Sequence, residues 1–542
     1  MPPASLPSSE TSQSGKVGRS LINIAGIVAI ATLLSKIAGL VRQQVIASAF
    51  GVGPAYDAFN YAYIIPGFLL ILLGGINGPF HSAIVSVVAK RNQREIGPLI
   101  ESVTTLVGAI LLVLTLLLVV FAEPLLYFVA PGLGEGTRAI ALVQFRIMAP
   151  IALLSGIIGI GFGTLNAANQ YWLPSLSPIF SSLAMLVSLS ILFLWQGSGV
   201  KDPANALIGG RFLAYGALAG ALIQWLIQLV AQWRSGIGTL RLRFNFRDPG
   251  VQEVVKVLGP ATFSSGTLYI NVWTDLWFAS RIPGAAATLD YANLLVQAPL
   301  GILSSMILVP FMPVFSRLKD PTDWPELKER IRQGLMLTAL TMLPLSALTI
   351  SLALPVVRLI YERYAFTREA SYLVTAVLMA YASGMFVYLA RDVLVRVFYA
   401  LGDGDTPFRI SVVNIFLNVL LDALLIGPLG TPGLVLATVG VNFFGTIALL
   451  ICLNRKLHGL PLRAWSIPFL GLFMGSVLAG LVSYGTLHLS QSFLGKEGFF
   501  LLLGELGISA LAGLTIFALI AMRLNLPEMD LLVGRLRSRF IR

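Results

Sequence analysis

The sequence predicts an all-α polytopic membrane protein of fourteen transmembrane helices, with two six-helix lobes related by a parallel repeat and two C-terminal helices. Three observations predict it. The 542 residues are 56% hydrophobic and only 11% charged, with a mean hydropathy of +0.84, far from the roughly 25% charged residues of a soluble domain. Apolar runs of bilayer-spanning length recur between Pro, Gly and charge clusters. Of the 37 Lys and Arg, with the N-terminus inside, 24 fall on cytoplasmic segments, 8 on outside connections and 5 within helices, as the positive-inside rule requires.

In order along the chain, residues 1–19 open with "MPPASLPSSETSQSG" and read as a disordered cytoplasmic tail. No small-residue cleavage site follows the first apolar run, so it is expected to stay as a helix. The N-lobe, 20–233, holds spans at 20–50, 55–89, 97–123, 138–169, 174–196 and 206–233. The C-lobe, 234–454, holds 252–281, 287–316, 331–355, 371–402, 407–427 and 432–454, and two further spans, 465–490 and 499–523, fall in 455–523. Residues 524–542 form a basic cytoplasmic tail whose run from Arg535 to Arg542 suits a membrane surface. Several spans exceed the bilayer, which implies tilt or projection.

The repeat rests on one offset. "DAFNYAYIIP" from Asp57 matches "DYANLLVQAP" from Asp290, and "NAANQYWLP" from Asn166 matches "YALGDGDTP" from Tyr399, both 233 residues apart. Six helices separate equivalent positions, so the lobes share an orientation, with a cavity expected between them. The net charge of +12 follows from topology and attraction to anionic headgroups; no basic, aromatic soluble domain exists to bind nucleic acid. Cys452 is the single cysteine, which excludes an internal disulfide and a cysteine metal site.

Within "ATLLSKIAGLVRQQV" stand Lys36 and Arg42. Charges at membrane depth persist mainly where they face a wet cavity or a partner, so these point to an anionic ligand; snorkelling to an interface is the other reading. They lie six residues apart, about 9 Å of rise and roughly 120° around the axis. Gly39 between them is a candidate bend. The same offset pairs Arg42 with Asp275. In "GGINGPF", Gly74, Gly75, Gly78 and Pro79 interrupt the second span, either as a hinge at a transport site or for close packing.

A second constellation lies in the C-lobe. Asn418 and Asp422 share a helix face, Thr438 lies at the same distance beyond the "GPLGTPG" turn, and Asp275 is expected at similar depth. Two carboxylates with an amide and a hydroxyl suit a small hard cation. An Asp to Asn hydrogen bond bracing two helices, or a protonatable carboxylate, are the alternatives. His81, His458 and His488 lack ligand spacing and read as packed or interfacial; Arg391, Asp392 and Arg396 are either cavity charges or an internal ion pair. No phosphate-binding Gly-Lys-Ser/Thr loop or HExxH is present, which disfavours ATP-driven transport within the chain and an enzyme.

"LLSKIAGLVRQQVIASAFGVGPAYDAF", "GPFHSAIV", "LGPATFSSG" and "YALGDGDTP" resemble the MurJ/MviN family of lipid II flippases in the MOP exporter superfamily, over about residues 20–523. The family motif of the first two helices lands on Ser35, Lys36, Gly39, Arg42 and Asp57. The resemblance implies that Ser35, Lys36, Arg42 and Asp57 bind the diphosphate of a polyprenyl-linked peptidoglycan precursor. It further implies that the last two helices form a groove for the lipid tail, and that Asp275, Asn418, Asp422 and Thr438 hold a sodium coupling ion. It implies a monomer in the bacterial inner membrane, with both termini cytoplasmic, whose partners are that substrate and membrane lipids, with no nucleic acid and no required cofactor. Family arginines of the second and eighth helices fall at Leu70 and Leu294, and an acid at Gln297. Another polyprenyl-diphosphate oligosaccharide, or sodium- or proton-coupled export of small molecules, remain alternative functions.

Overall fold

Proline, glycine and polar turns cut this chain into helices at the positions where an i to i−4 ladder cannot continue. The computed structural model describes residues 10–529 apart from 76–77, 89, 92, 169, 171, 239, 268 and 495–497. Every regular element among the described residues is helical. Eleven helices there are long and apolar enough to cross a membrane, twelve if one bent pair counts as a single span. The expected first and seventh spans correspond to elements outside that count, so fourteen spans are consistent with it.

The chain divides into two compact units, Met1–Ile270 and Asn271–Arg542. The boundary lies inside the expected seventh span and not at 233/234, because that span is split and its first half packs within the first unit. The first unit contains α1 (Glu10–Phe50), α2 (Pro54–Gly74), α3 (Pro79–Val88), α4 (Gln93–Val120), α5 (Ala122–Val129), α6 (Glu135–Met148), α7 (Ile151–Ala167), α8 (Trp172–Gln196), α9 (Ala206–Arg234) and α10 (Pro249–Thr267). Helix α1 begins at Glu10, so residues 10–19 of the expected disordered tail are helical. Extending an existing apolar helix adds one hydrogen bond per residue fixed, without a new nucleus. Residues 1–9, and 530–542 with the Arg535 to Arg542 run, lie outside the described residues.

The expected second span is two helices, α2 and α3, broken at Gly75 and Gly78. Helix α7 lies against both. A Cβ on Gly159 of α7 would stand 2.0 Å from the Leu73 carbonyl oxygen, and one on Gly163 would stand 2.7 Å from Ile84 Cβ. Small residues on α7 thus let backbones approach closely where the second span breaks. Helices α6 and α7 meet at 41° at Pro150, which has no amide proton to continue the ladder. Helix α10 packs on α3 and α4, and the loop before it is tied to α4 by Arg243 Nε on Glu101 Oε2 at 3.3 Å.

The second unit contains α11 (Ile270–Ala279), α12 (Ala285–Arg317), α13 (Trp324–Ser351), α14 (Ala353–Tyr361), α15 (Arg368–Ser383), α16 (Met385–Ala400), α17 (Asp405–Leu429), α18 (Thr431–Lys456), α19 (Leu462–Leu494) and α20 (Phe499–Arg523). Helices α17 and α18 form a tight hairpin through Gly430, at φ 60°, a left-handed conformation that glycine adopts without a Cβ penalty. Helices α19 and α20 pair with each other and dock on α13 through Leu340, Leu343, Leu472, Ala479 and Phe517. At the base of α13, Arg332 Nη2 donates to Glu528 Oε1 at 2.9 Å, fixing the chain beyond α20.

The apolar groove of this unit, about 690 Å³, is lined by residues including Leu335, Phe386, Val439, Phe443, Trp465 and Phe469. These come from α13, α16, α18 and α19. Of the last two helices, α19 contributes to its wall. Gly471 and Gly475 of α19 sit directly against Leu524 and Ile520, and Gly513 of α20 against the Ala479 carbonyl, so that pair closes on itself.

Candidate functional site

In the first unit, Asp57 stands at the turn from α1 to α2, while Arg42, Lys36 and Ser35 lie progressively further back along α1. That turn is held by Gln43 Nε2 donating to Tyr56 Oη. It is also held by Gln144 Nε2 of α6, which donates to the carbonyls of Ala55 at 3.1 Å and Gly210 at 3.0 Å. Asp57 is buried in the first turn of α2. Lys36 is exposed, while Ser35 and Arg42 are half-buried. Arg42 lies within electrostatic range of Tyr63 on α2, and its Nε is buried with no hydrogen-bond partner among the described residues.

Helix α1 is unbroken at Gly39, so Lys36 and Arg42 leave it on different faces. A Cβ on Gly39 would meet nothing within 4 Å, and close packing therefore does not require glycine there. The glycines of the second span differ. A Cβ on Gly74 would stand 3.0 Å from the Ser155 carbonyl, one on Gly75 would stand 2.6 Å from the Ile71 carbonyl, and one on Gly78 would stand 2.7 Å from the Leu72 carbonyl.

In the second unit, the structure brings Asp275, Asn418, Asp422 and Thr438 to one place. Thr438 Oγ1 of α18 donates to Asp275 Oδ2 of α11 at 3.0 Å, and Asp275 adjoins Asp422 and Asn418 of α17. The hairpin sets these levels, and α18 approaches α17 so closely that a Cβ on Gly445 would stand 2.6 Å from Asn414 Nδ2. Asn418 and Asp422 are fully buried. Asp275 Oδ1, both carboxylate oxygens of Asp422 and both amide atoms of Asn418 have no hydrogen-bond partner among the described residues. Buried polar atoms are costly unless satisfied. Two carboxylates, an amide oxygen and a hydroxyl, most of them unclaimed, fit a small hard cation such as sodium.

Two residues near this site carried no signal in the sequence. Tyr381 of α15 and Tyr388 of α16 lie within electrostatic range of Asp275, and Tyr388 Oη is buried without a partner among the described residues. Only the packing of α15 and α16 on α18 brings them in. The weaker candidates disperse. Arg391 Nη2 donates to Ser411 Oγ at 3.1 Å and Arg396 Nη1 to the Leu308 carbonyl at 3.5 Å; both lie within electrostatic range of Asp392 without a close ion pair among the described residues. His81 Nε2 meets Asn166 Nδ2 at 2.7 Å, His458 packs on Trp324 and His488 stacks on Tyr484. Cys452 is half-buried.

A sequence model described as lipid II flippase MurJ matches residues 46–504. The probable lipid II flippase MurJ of Synechocystis sp. is 55% identical over 98% of this chain and 100% of its own length. The chain belongs to the lipid II flippase MurJ family. The lipid II flippase MurJ of Burkholderia cenocepacia is 27% identical, covering 87% of this chain and 89% of its own. Among solved structures, a lipid II flippase MurJ in an inward closed conformation aligns with a TM-score of 0.72 at 22% identity, over 91% of this chain and 97% of that one. An inward-facing MATE family multidrug resistance transporter of the MOP superfamily aligns at 0.60 with 14% identity, over 79% of this chain and 98% of that one. At these identities the structural matches speak for the fold alone.

Proposed function

We propose that this chain is a lipid II flippase, carrying the polyprenyl-diphosphate-linked peptidoglycan precursor from the inner to the outer leaflet; it is a transporter and not an enzyme. The observation that carries the reading is Arg42, a guanidinium with a buried Nε that has no partner among the described residues on the same helix as exposed Lys36, in a chain 55% identical to a probable lipid II flippase. In a low-dielectric wall, a fixed cation attracts a diphosphate far more strongly than in water, and guanidinium matches phosphate oxygens in a bidentate fork. Lys36, Arg42, Ser35 and Asp57 would hold and orient the headgroup. The 690 Å³ apolar groove offers the prenyl chain a surface of Leu, Phe and Trp. Gly39, free of packing constraints, and the broken second span at Gly74, Gly75 and Gly78 would bend as the headgroup site alternates between the two membrane faces.

Sodium would sit among Asp275, Asn418, Asp422 and Thr438 and supply two things, charge compensation and the energy of its inward gradient. The chain's own contribution is the positioning: Thr438 orients Asp275, the i,i+4 spacing on α17 keeps Asn418 and Asp422 on one face, and the α17 to α18 hairpin brings Thr438 to their level. The basic-residue asymmetry supports both termini being cytoplasmic, and membership of the MurJ family supports a bacterial inner-membrane protein.

Depletion in the source bacterium tests the reading. It should halt wall synthesis with lipid-linked precursor retained on the inner leaflet, and a lipid II flippase from another bacterium should restore growth. Lys36→Gln and Arg42→Gln should each abolish rescue while membrane abundance stays unchanged; normal rescue by both would remove the headgroup assignment. A normal wall with defective surface polysaccharide would move the substrate to another polyprenyl diphosphate, consistent with Leu70 and Leu294 replacing cations.

A further inference from the structure

Within the second unit, at the end where α19 and α20 turn, a cavity of about 210 Å³ opens between α13, α14, α19 and α20. Its polar wall comprises Ser351, Arg358, Tyr484, His488 and Gln491, and Leu502 is among the apolar residues that close it. We propose that this cavity is a binding site for a phosphate ester, the headgroup phosphate of a membrane lipid, with Arg358 as its anchor.

Four features carry the inference. First, among the described residues no carboxylate lines the cavity, Glu362 being paired with Arg358 without joining the wall, and every polar group on that wall can donate a hydrogen bond, which suits an anion. Second, Arg358 is held in place. Its Nε lies 3.2 Å from Glu362 Oε2, Ser371 Oγ donates to that same oxygen at 2.7 Å, and Arg358 Nη2 donates to Tyr372 Oη at 3.2 Å. The Glu362 contact is an ion pair without a hydrogen bond from Nε, Nη2 makes the one hydrogen bond to Tyr372, and Nη1 has no protein partner among the described residues. A guanidinium fixed on one side and open on the other binds a phosphate with little further loss of side-chain entropy.

Third, the volume is several times the roughly 30 Å³ share of one water, enough for a tetrahedral phosphate and the first atoms of its ester. The apolar wall of Leu354, Pro355, Leu487 and Leu502 suits those carbon atoms. Fourth, the surroundings mark headgroup level. Helix α14 is a nine-residue helix outside the candidate spans, and Tyr364, Tyr372, Phe493, Phe499 and Phe500 are exposed around the turn, as in an interfacial aromatic belt. A soluble anion would need no such belt, which favours the lipid source. The proposal does not depend on the flippase reading, since any phosphate-bearing lipid of that leaflet satisfies it.

Native mass spectrometry of the purified full-length protein, titrated with phosphatidylglycerol or with diacylglycerol as a phosphate-free probe, tests it. Phosphatidylglycerol adducts should exceed diacylglycerol adducts. They should fall by roughly tenfold or more in Arg358→Gln, the loss expected for one charge-assisted hydrogen bond, and persist in Arg358→Lys. His488→Leu, on the exposed wall, provides a second variant if Arg358→Gln melts early, and should weaken binding less. In parallel, inorganic phosphate is tested by thermal shift: stabilisation of the wild type that Arg358→Gln abolishes, with no lipid dependence, would assign the site to free phosphate. Phosphatidylglycerol adducts and phosphate shifts both unchanged in Arg358→Gln and His488→Leu would overturn the proposal.

Discussion

Replacing Asp422 by Asn separates an ion site from a structural hydrogen-bond network, and the structure sets the size of the effect. Asp422 is fully buried and neither of its oxygens has a partner among the described residues. Asp275 Oδ1 and both amide atoms of Asn418 are in the same condition. Each unsatisfied buried polar atom costs about 1–3 kcal/mol, a cost that a cation bound among these oxygens would offset. At sodium a hundredfold above its Kd, linkage adds roughly 2.7 kcal/mol to stability. For a unit of this size one kcal/mol moves Tm by about 2 °C, so sodium should raise Tm by about 5 °C. Asp422→Asn keeps the shape but removes one negative charge. The variant should therefore lose the sodium shift, while its Tm in choline chloride stays equal to or above that of the wild type. The assay is a thermal melt in sodium, potassium and choline chloride at equal ionic strength. A variant with a lower Tm in choline and an intact sodium shift would refute the reasoning, because the carboxylate would then be bracing helices and not awaiting an ion.

Further outcomes follow from close approaches and from charge. Gly159→Ala places a Cβ 2.0 Å from the Leu73 carbonyl, which backbone movement alone can relieve; it should destabilise by about 3 kcal/mol or more, read as lost expression and a lowered Tm. Gly39→Ala meets no atom within 4 Å and should stabilise α1 by about 0.5–1 kcal/mol; if α1 bends there, transport should nevertheless fall, and unchanged rescue of depleted cells would remove Gly39 from the cycle. Asp403, in the loop before α17, is partly desolvated, but the Lys456 ammonium at 2.6 Å and the Thr406 amide and hydroxyl hold its carboxyl below the usual range. Because the folded value is depressed, its stabilisation is present at neutral pH and is lost as pH falls through that value. Asp403→Asn should lower Tm at pH 7, and the gap from wild type should close as the melts are taken into the acid range below ordinary carboxylate titration.

The sequence by itself determined the class, the helical layout and the chemistry of the candidate sites. Hydropathy and the Lys and Arg distribution do so because a bilayer leaves a spanning backbone few options but the helix and biases basic loops to one side. The repeat offset placed Arg42 and Asp275 at equivalent positions, and helical spacing put Asn418 and Asp422 on one face. What needed the tertiary structure was every feature set by which helix lies against which. The division at 270/271 follows from α10 packing on α3 and α4, and nothing local to residues 249–279 encodes that. The apolar groove draws its wall from α13, α15, α16, α18 and α19, a grouping that no single segment encodes. Tyr381 and Tyr388 reach the neighbourhood of Asp275, and Arg358 shares a cavity with His488 and Gln491, across separations that carry no periodicity. Local sequence fixes the period of a helix and the depth of its charges; the partner of each face is chosen by steric fit among side chains and glycines from distant segments, and that fit exists only once the helices have packed.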